Sequence, residues 1–160
     1  MTDAAGAIEV RIRPGRLEDA EALANLATQL GYPSTPEQMA ARLRQTLPDP
    51  DHAVFVAEPA GARACGFLHV FAGISLESGP RAEILALVTD ESLRSRGIGR
   101  RLVAEAERWA QARGFAVICV RSQVVRAGAH RFYETLGYEC AKTQKYFRKS
   151  LLGSGESEKT

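Results

Sequence analysis

The 160-residue sequence contains no apolar run near the roughly 20 residues that a membrane-spanning helix needs, so no membrane partner is expected. Residues 1–7 lack the basic start and long apolar core of a secretory leader, and the expected compartment is the cytoplasm. Cysteine is scarce. Cys65, Cys119 and Cys140 are odd in number and far apart, which favours unbridged thiols over a disulfide framework. Cys65 and Cys119 lie inside apolar, strand-like runs where a thiol is buried. His52, His69 and His130 show no ligand spacing with these cysteines, so no metal site is expected. Internal repeats and low-complexity linkers are also missing. What remains is ordinary for a globular protein, with 45% apolar and 25% charged residues. The length suits one domain spanning residues 1–160, with frayed ends at 1–7 and 153–160.

The net charge of +2 hides an uneven distribution. Residues 16–60 hold three basic and seven acidic side chains, a net of −4. Residues 61–152 hold fifteen basic and eight acidic, a net of +7. An anionic ligand therefore belongs with the second half. A pocket shaped by the first half would suit a cation.

Residues 8–13 alternate apolar and charged positions, a strand signal that ends at Pro14. Residues 17–30 place Ala20, Leu23, Ala24, Ala27 and Leu30 at helical spacing, with acids in the first turn and Gly31 as the stop. Thr35 and Pro36 open a second helix to about residue 47. Residues 53–57 and 65–71 read as an antiparallel hairpin, and residues 73–80 as a loop. Residues 82–89 form a central strand apolar enough to be buried on both faces. A helix runs from Ile98 to about Arg113 with a stripe of Ile98, Leu102, Ala106, Trp109 and Ala110. Residues 116–120 form a further strand, and this strand–helix–strand order implies a right-handed parallel crossover. Residues 127–136 form a short helix stopped by Gly137. Residues 138–141 and 145–151 read as a closing antiparallel pair.

The segment Arg94-Ser95-Arg96-Gly97-Ile98-Gly99-Arg100-Arg101 joins the central strand to the long helix. Glycine lets the backbone approach a ligand closely. A helix start adds unpaired N–H groups and a positive dipole end, which together suit a phosphate. Three designs compete. A Walker loop needs a lysine and a hydroxyl residue after its second glycine, but Arg100 and Arg101 stand there. A dinucleotide fingerprint needs a third glycine where Leu102 stands, and an acid ending the next strand, which instead ends in Arg121-Ser122. The third design, Arg/Gln-x-x-Gly-x-Gly/Ala, is satisfied by residues 94–99.

A second element follows about 30 residues later, at Arg126-Ala127-Gly128-Ala129-His130-Arg131-Phe132-Tyr133-Glu134-Thr135-Leu136-Gly137-Tyr138. With both elements the chain resembles the GNAT superfamily of acetyl-CoA-dependent N-acetyltransferases. The resemblance covers nearly all of residues 8–151 in element order and is specific over residues 82–138. It implies a mixed, mostly antiparallel α/β sheet of six or seven strands, a splayed central parallel pair, and about four helices on both faces. It also implies that the backbone of Arg96, Gly97, Ile98, Gly99 and Arg100 cradles the CoA pyrophosphate, with Arg94 and Ser95 in the same loop. Leu87, Val88 and Thr89 would bind pantetheine. Ser122 would touch the acyl arm, and Arg126 the adenosine phosphate. Arg100 and Arg101 flank the apolar stripe and face solvent.

An acceptor amine with a pKa of about 10 is protonated at neutral pH and must lose a proton before it attacks the thioester directly. Glu83, where the central strand begins, is the candidate base. A charge entering an apolar strand needs a reason, and the alternative is a wet strand end paired with Arg81. Tyr133 matches the tyrosine that superfamily members aim at the CoA sulfur. Phe132 beside it suits the core better. His130 is given no catalytic part. The acceptor is expected to be a small cationic primary amine. A protein or peptide acceptor, or a non-catalytic CoA sensor, are the alternatives. Nucleic-acid binding lacks the interleaved exposed aromatics it would need. A homodimer stays open.

Overall fold

In the computed structural model the alternation at the start of the chain becomes strand β1 (Val10–Pro14), the edge of a five-stranded sheet in the order β1-β2-β3-β4-β5. Residues 9–121 and 127–153 are described. They fall into two compact units, Met1–Arg121 and Ser122–Thr160. The expected frayed ends and the segment 122–126 lie almost wholly outside the described residues.

The first unit holds the sheet. Strands β2 (His52–Pro59), β3 (Gly66–Ser75) and β4 (Gly79–Thr89) continue from β1 as an antiparallel meander. The expected loop over residues 73–80 is instead a tight hairpin, with Ser75 opposite Gly79. Helix α3 (Ile98–Ala112) then crosses over to the short strand β5 (Ile118–Val120), which pairs parallel with β4. The crossover matches the expectation.

Helices cover both faces. Helix α1 (Ala20–Gln29) and helix α2 (Pro36–Thr46) bury Leu23, Leu26, Met39 and Leu43 against Val54, Val56, Phe67 and Val88. A 3₁₀ turn at Leu17–Asp19 occupies the start of what the sequence presents as one helix. Thr35 caps α2 through the Gln38 amide, and the Gln38 side chain accepts from the Thr35 amide in return. On the opposite face α3 buries Ile98, Leu102, Val103, Ala106 and Ala110. Val103 joins the stripe in place of Trp109, which is half-buried under the Arg113 guanidinium, 5.0 Å from its ring centroid. Gly31, Gly114 and Gly137 end their helices in left-handed geometry. At Gly114 the amide bonds back to Gln111 and that of Phe115 to Ala110, the double bond of a Schellman stop.

Two expectations are corrected here. β4 is not buried on both faces, because β5 pairs with it only through Ile84, and Leu85 is 49% exposed. The closing pair over residues 138–141 and 145–151 is absent from the described residues, so the described sheet has five strands instead of six or seven. Strand preference is a matter of cross-strand neighbours and burial. Tyr146, Phe147 and Leu151 are exposed and have neither. The second unit's described secondary structure is helix α4 (Ala127–Thr135).

One polar cluster is buried in the first unit. Arg13 on β1 donates to both Asp19 oxygens, at 2.9 and 2.7 Å, and from Nε to Glu58 at 2.5 Å. The Arg16 amide adds a fourth bond, to Asp19, at 2.8 Å. Burial pushes the Asp19 carboxyl up, but the Arg13 and Arg16 bonds outweigh it and hold the group below the usual carboxylate range. Its stabilising contribution is therefore present above the unfolded value and is lost as pH falls through the folded one. Asp19→Asn should destabilise the protein by about 3 kcal/mol at neutral pH. The difference between variant and wild type in urea melts should shrink once pH drops below about 4.

Candidate functional site

β4 leads into the glycine loop. Glu83, Leu87, Val88 and Thr89 all lie on this strand. Val88 is buried, and Leu87 and Thr89 are half-buried. The parallel register runs Ala82–Ile118, Glu83–Cys119 and Ile84–Val120 and then stops. β4 goes on to Thr89, so among the described residues its outer edge carries no ladder beyond Ile84. At the same point β4 gains one residue against β3: His69 faces Ala86 while Val70 faces Ile84. Leu85 is the extra residue of this bulge. A bulge bends and twists a strand locally, and such bulges concentrate beside functional sites.

The loop after β4 is pinned at its start. The Asp90 amide donates to Cys65 at 2.7 Å. The Asp90 side chain accepts from the amide and hydroxyl of Ser92 and from Gln29 Nε2 at 3.1 Å, and Gln29 Oε1 accepts from the Glu91 amide. The Ser92 bonds first, then Gln29, hold the Asp90 carboxyl below its ordinary range. Beyond this clamp Arg94, Ser95, Arg96 and Gly97 are exposed.

Two residues in the loop turn left-handed. Ser95 has φ 66° and Gly97 has φ 78°. A non-glycine residue in this region is uncommon and costs energy, which is why such positions cluster at binding sites. Space at Gly97 is open: a Cβ added there would meet nothing within 4 Å. Ile98 is buried under the sheet and fixes the start of α3, Gly99 is half-buried, and Arg100 is exposed. The first helical bond runs from Arg101 N to Gly97 O at 3.2 Å, so the preceding amides have no partner within the helix. Arg101 also reaches back to donate to Val10 O at 2.6 Å, a bond that its expected solvent-facing position does not foretell. A bare left-handed corner, helix amides and arginines of both the loop and the first turn suit a phosphate ester.

Glu83 is 16% exposed. Its Oε1 lies 3.0 Å from Arg121 Nε, so its partner is not Arg81, which donates to Ser78 instead. Its position is one residue before the end of the described parallel ladder. In the second unit Tyr133 and Phe132 are both half-buried, neither taking the core for itself. Their rings meet edge-on at 5.1 Å, and Tyr138 closes on Tyr133 at 5.8 Å. Ser122 and Arg126 lie outside the described residues.

Among the described residues, three acids of the first half that line one cavity are paired with arginines. A cavity of about 300 Å³ is lined by Arg13, Glu18, Asp19, Glu21, Glu58 and Arg63. Arg13 holds Asp19 and Glu58, and Arg63 holds Glu21 at 3.0 Å. The sequence reading also gives no role to His52 and His69. In the fold they stack at 5.1 Å, with Nδ1 of His52 2.8 Å from Nε2 of His69. The signal for this lay in strand alternation, which puts both rings on the face that also carries Phe71 and Glu83.

Comparisons with known proteins agree with this geometry. The family model described as Acetyltransferase (GNAT) family matches residues 20–138. An aminoglycoside N(6')-acetyltransferase type 1 of Serratia marcescens is 26% identical over 130 residues, covering 79% of this chain and 89% of that protein. A second protein of that name, from Stenotrophomonas maltophilia, is 28% identical over 144 residues, covering 88% and 93%. Among solved structures, the aminoglycoside N-acetyltransferase AAC(6')-Iy in complex with CoA superposes with a TM-score of 0.80 at 21% identity, over 89% of this chain and 96% of that one.

The clamp on the loop is open to test. Gln29→Ala removes two bonds of about 1 kcal/mol each, so amide exchange at residues 91–97 should rise about tenfold or more while the core stays protected. Unchanged exchange there would show that Gln29 does not hold the loop.

Proposed function

The chain belongs to the acetyltransferase (GNAT) family and is an acetyl-CoA-dependent acyltransferase, and from that premise we propose that it acetylates a primary amine of a small cationic molecule. Aminoglycosides are the class to try first, since two relatives bear that activity in their names. The observation that carries the cofactor part is the open Gly97 corner at the head of α3, beside a strand whose outer edge, among the described residues, carries no ladder beyond Ile84.

The cosubstrate supplies an acetyl thioester. In this reading the backbone at Arg96, Gly97, Ile98, Gly99 and Arg100 holds its diphosphate, with Arg94 and Ser95 shaping the loop. The edge of Leu87, Val88 and Thr89 holds its pantetheine arm, and free N–H groups there favour charge on the thioester oxygen. Glu83 attracts the ammonium and takes its proton before the nitrogen attacks. Tyr133 is assigned the donor's part toward the departing sulfur. Ser122 and Arg126 are assigned to the arm and the adenosine phosphate.

Calorimetry with CoA, followed by an acetyl-transfer screen of aminoglycosides, polyamines and lysine peptides, tests this reading. Preference for peptides would overturn the small-molecule part. Gly97→Leu should weaken acetyl-CoA binding by about a hundredfold, since a side chain would fill the phosphate corner. Gly61→Leu is the control for backbone strain, because Gly61 has φ 69° and equally open space away from the loop. Equal affinities in the two variants would refute the site. Glu83→Gln should lower kcat by about a hundredfold and Tyr133→Phe by about tenfold, with CoA affinity retained.

A further inference from the structure

The histidine pair has chemistry that the reading above leaves unused. Cross-strand partners share a face, so His52, Phe71, Glu83 and Cys119 form one row across β2, β3, β4 and β5. The next row runs Val54, His69 and Ala86. His69 therefore sits beside the bulge at Leu85, on the face that carries Glu83. This is where the described ladder between β4 and β5 ends.

The protons of the pair are assigned from the nearest charge. Asp49 Oδ2 lies 3.9 Å from Nε2 of His52. That carboxylate favours a hydrogen on Nε2, which leaves Nδ1 of His52 as an acceptor. Nε2 of His69, 2.8 Å away, is then the donor, and Nδ1 of His69 carries the lone pair. Among the described residues no hydrogen bond reaches that Nδ1, and no buried side-chain nitrogen lacks a partner. Nδ1 of His69 thus opens onto accessible space. Burial, then the neighbouring His52, pushes the His69 imidazole down to about 4, so the ring is neutral at neutral pH and does not repel an ammonium ion. Glu83 meanwhile has one oxygen taken by Arg121.

We infer that His69 and His52 form a proton relay for the acceptor amine, leading from the Glu83 strip of the sheet to solvent at Asp49. This rests on the transferase reading and adds to it a route for the proton. The ammonium N–H bond breaks as an O–H bond forms at the Glu83 carboxylate; that O–H bond then breaks and an N–H bond forms at Nδ1 of His69, directly or through one water. The Nε2 hydrogen of His69 passes to Nδ1 of His52. The Nε2 hydrogen of His52 leaves to water beside Asp49. One proton enters and one leaves, and the tautomers reset by exchange with water between turnovers.

The test is steady-state acetyl transfer to the best amine of the screen by His69→Gln, His52→Gln and His69→Ala. Glutamine keeps a hydrogen bond across the pair but passes no proton through its side chain. His69→Gln and His52→Gln should each lower kcat about tenfold or more, leaving the amine KM and the CoA affinity within about threefold. Imidazole added to His69→Ala should restore part of the lost rate. A glutamine variant with kcat within about twofold of wild type would overturn the relay. Where a glutamine variant also loses CoA affinity or melts early, imidazole rescue of His69→Ala decides, and no rescue overturns it. A wild type that transfers to no amine defeats the transferase reading itself. An active wild type with equally active variants defeats the relay alone.

Discussion

β4 keeps its bonds to β3 from Gly79 to Thr89, while among the described residues its parallel contact with β5 covers Ala82, Glu83 and Ile84. The difference in length is the constraint from which the rest follows. A backbone edge that leaves its partner must find other hydrogen-bond partners, and an extended ligand with amide groups is one that fits. The bulge at Leu85 falls at the same level and re-aims the strand where pairing ends. Glu83 lies one residue before the end of that ladder. Gly97 and the first turn of α3 follow the far end of the same strand, so β4 links the proposed phosphate corner to the proposed base.

Rigidity in this arrangement is unevenly placed. α3 is anchored through Ile98, Leu102 and Val103 on the sheet and through Arg101 on the Val10 carbonyl. The start of the loop is tied to α1 through Gln29. Between these anchors Arg94 to Gly97 are exposed, with two left-handed residues. A loop held at both ends and bare in the middle keeps its shape without a side chain in the space that a ligand would use. The charge pattern fits the same division. Acids of the first half are largely spent on Arg13, Arg63 and Arg113, whereas the loop arginines stand exposed.

Much of this could be read before any coordinates. Helical spacing, the cap at Thr35 and the stop glycines at 31, 114 and 137 are local signals, and local signals set element ends. The Arg94–Gly99 pattern likewise marks where α3 begins, because a helix start after a left-handed glycine is local physics. What failed was what depends on distant partners. The residues over 82–89 look buried on both sides, yet exposure at Leu85 depends on how far β5 extends, which its own residues do not reveal. Alternation over residues 138–151 looks like a hairpin, but no strand forms among the described residues without a burying face. The Glu83 partner proved to be Arg121, 38 positions away and just past the end of the neighbouring strand, and not Arg81. The two histidines, 17 positions apart, meet only because β2 and β3 pair in one particular register.

Strand order in the sheet follows chain order from β1 to β5. Each of the first four strands therefore finds its neighbour already emerged as the chain leaves the ribosome, and the meander can close stepwise with short loops. β5 alone has to wait for the whole of α3 to be made. The pairing of β4 with β5 is consequently the last step in completing the described sheet, and an interrupted synthesis that ends within α3 leaves a meander with its outermost edge bare and open to other chains.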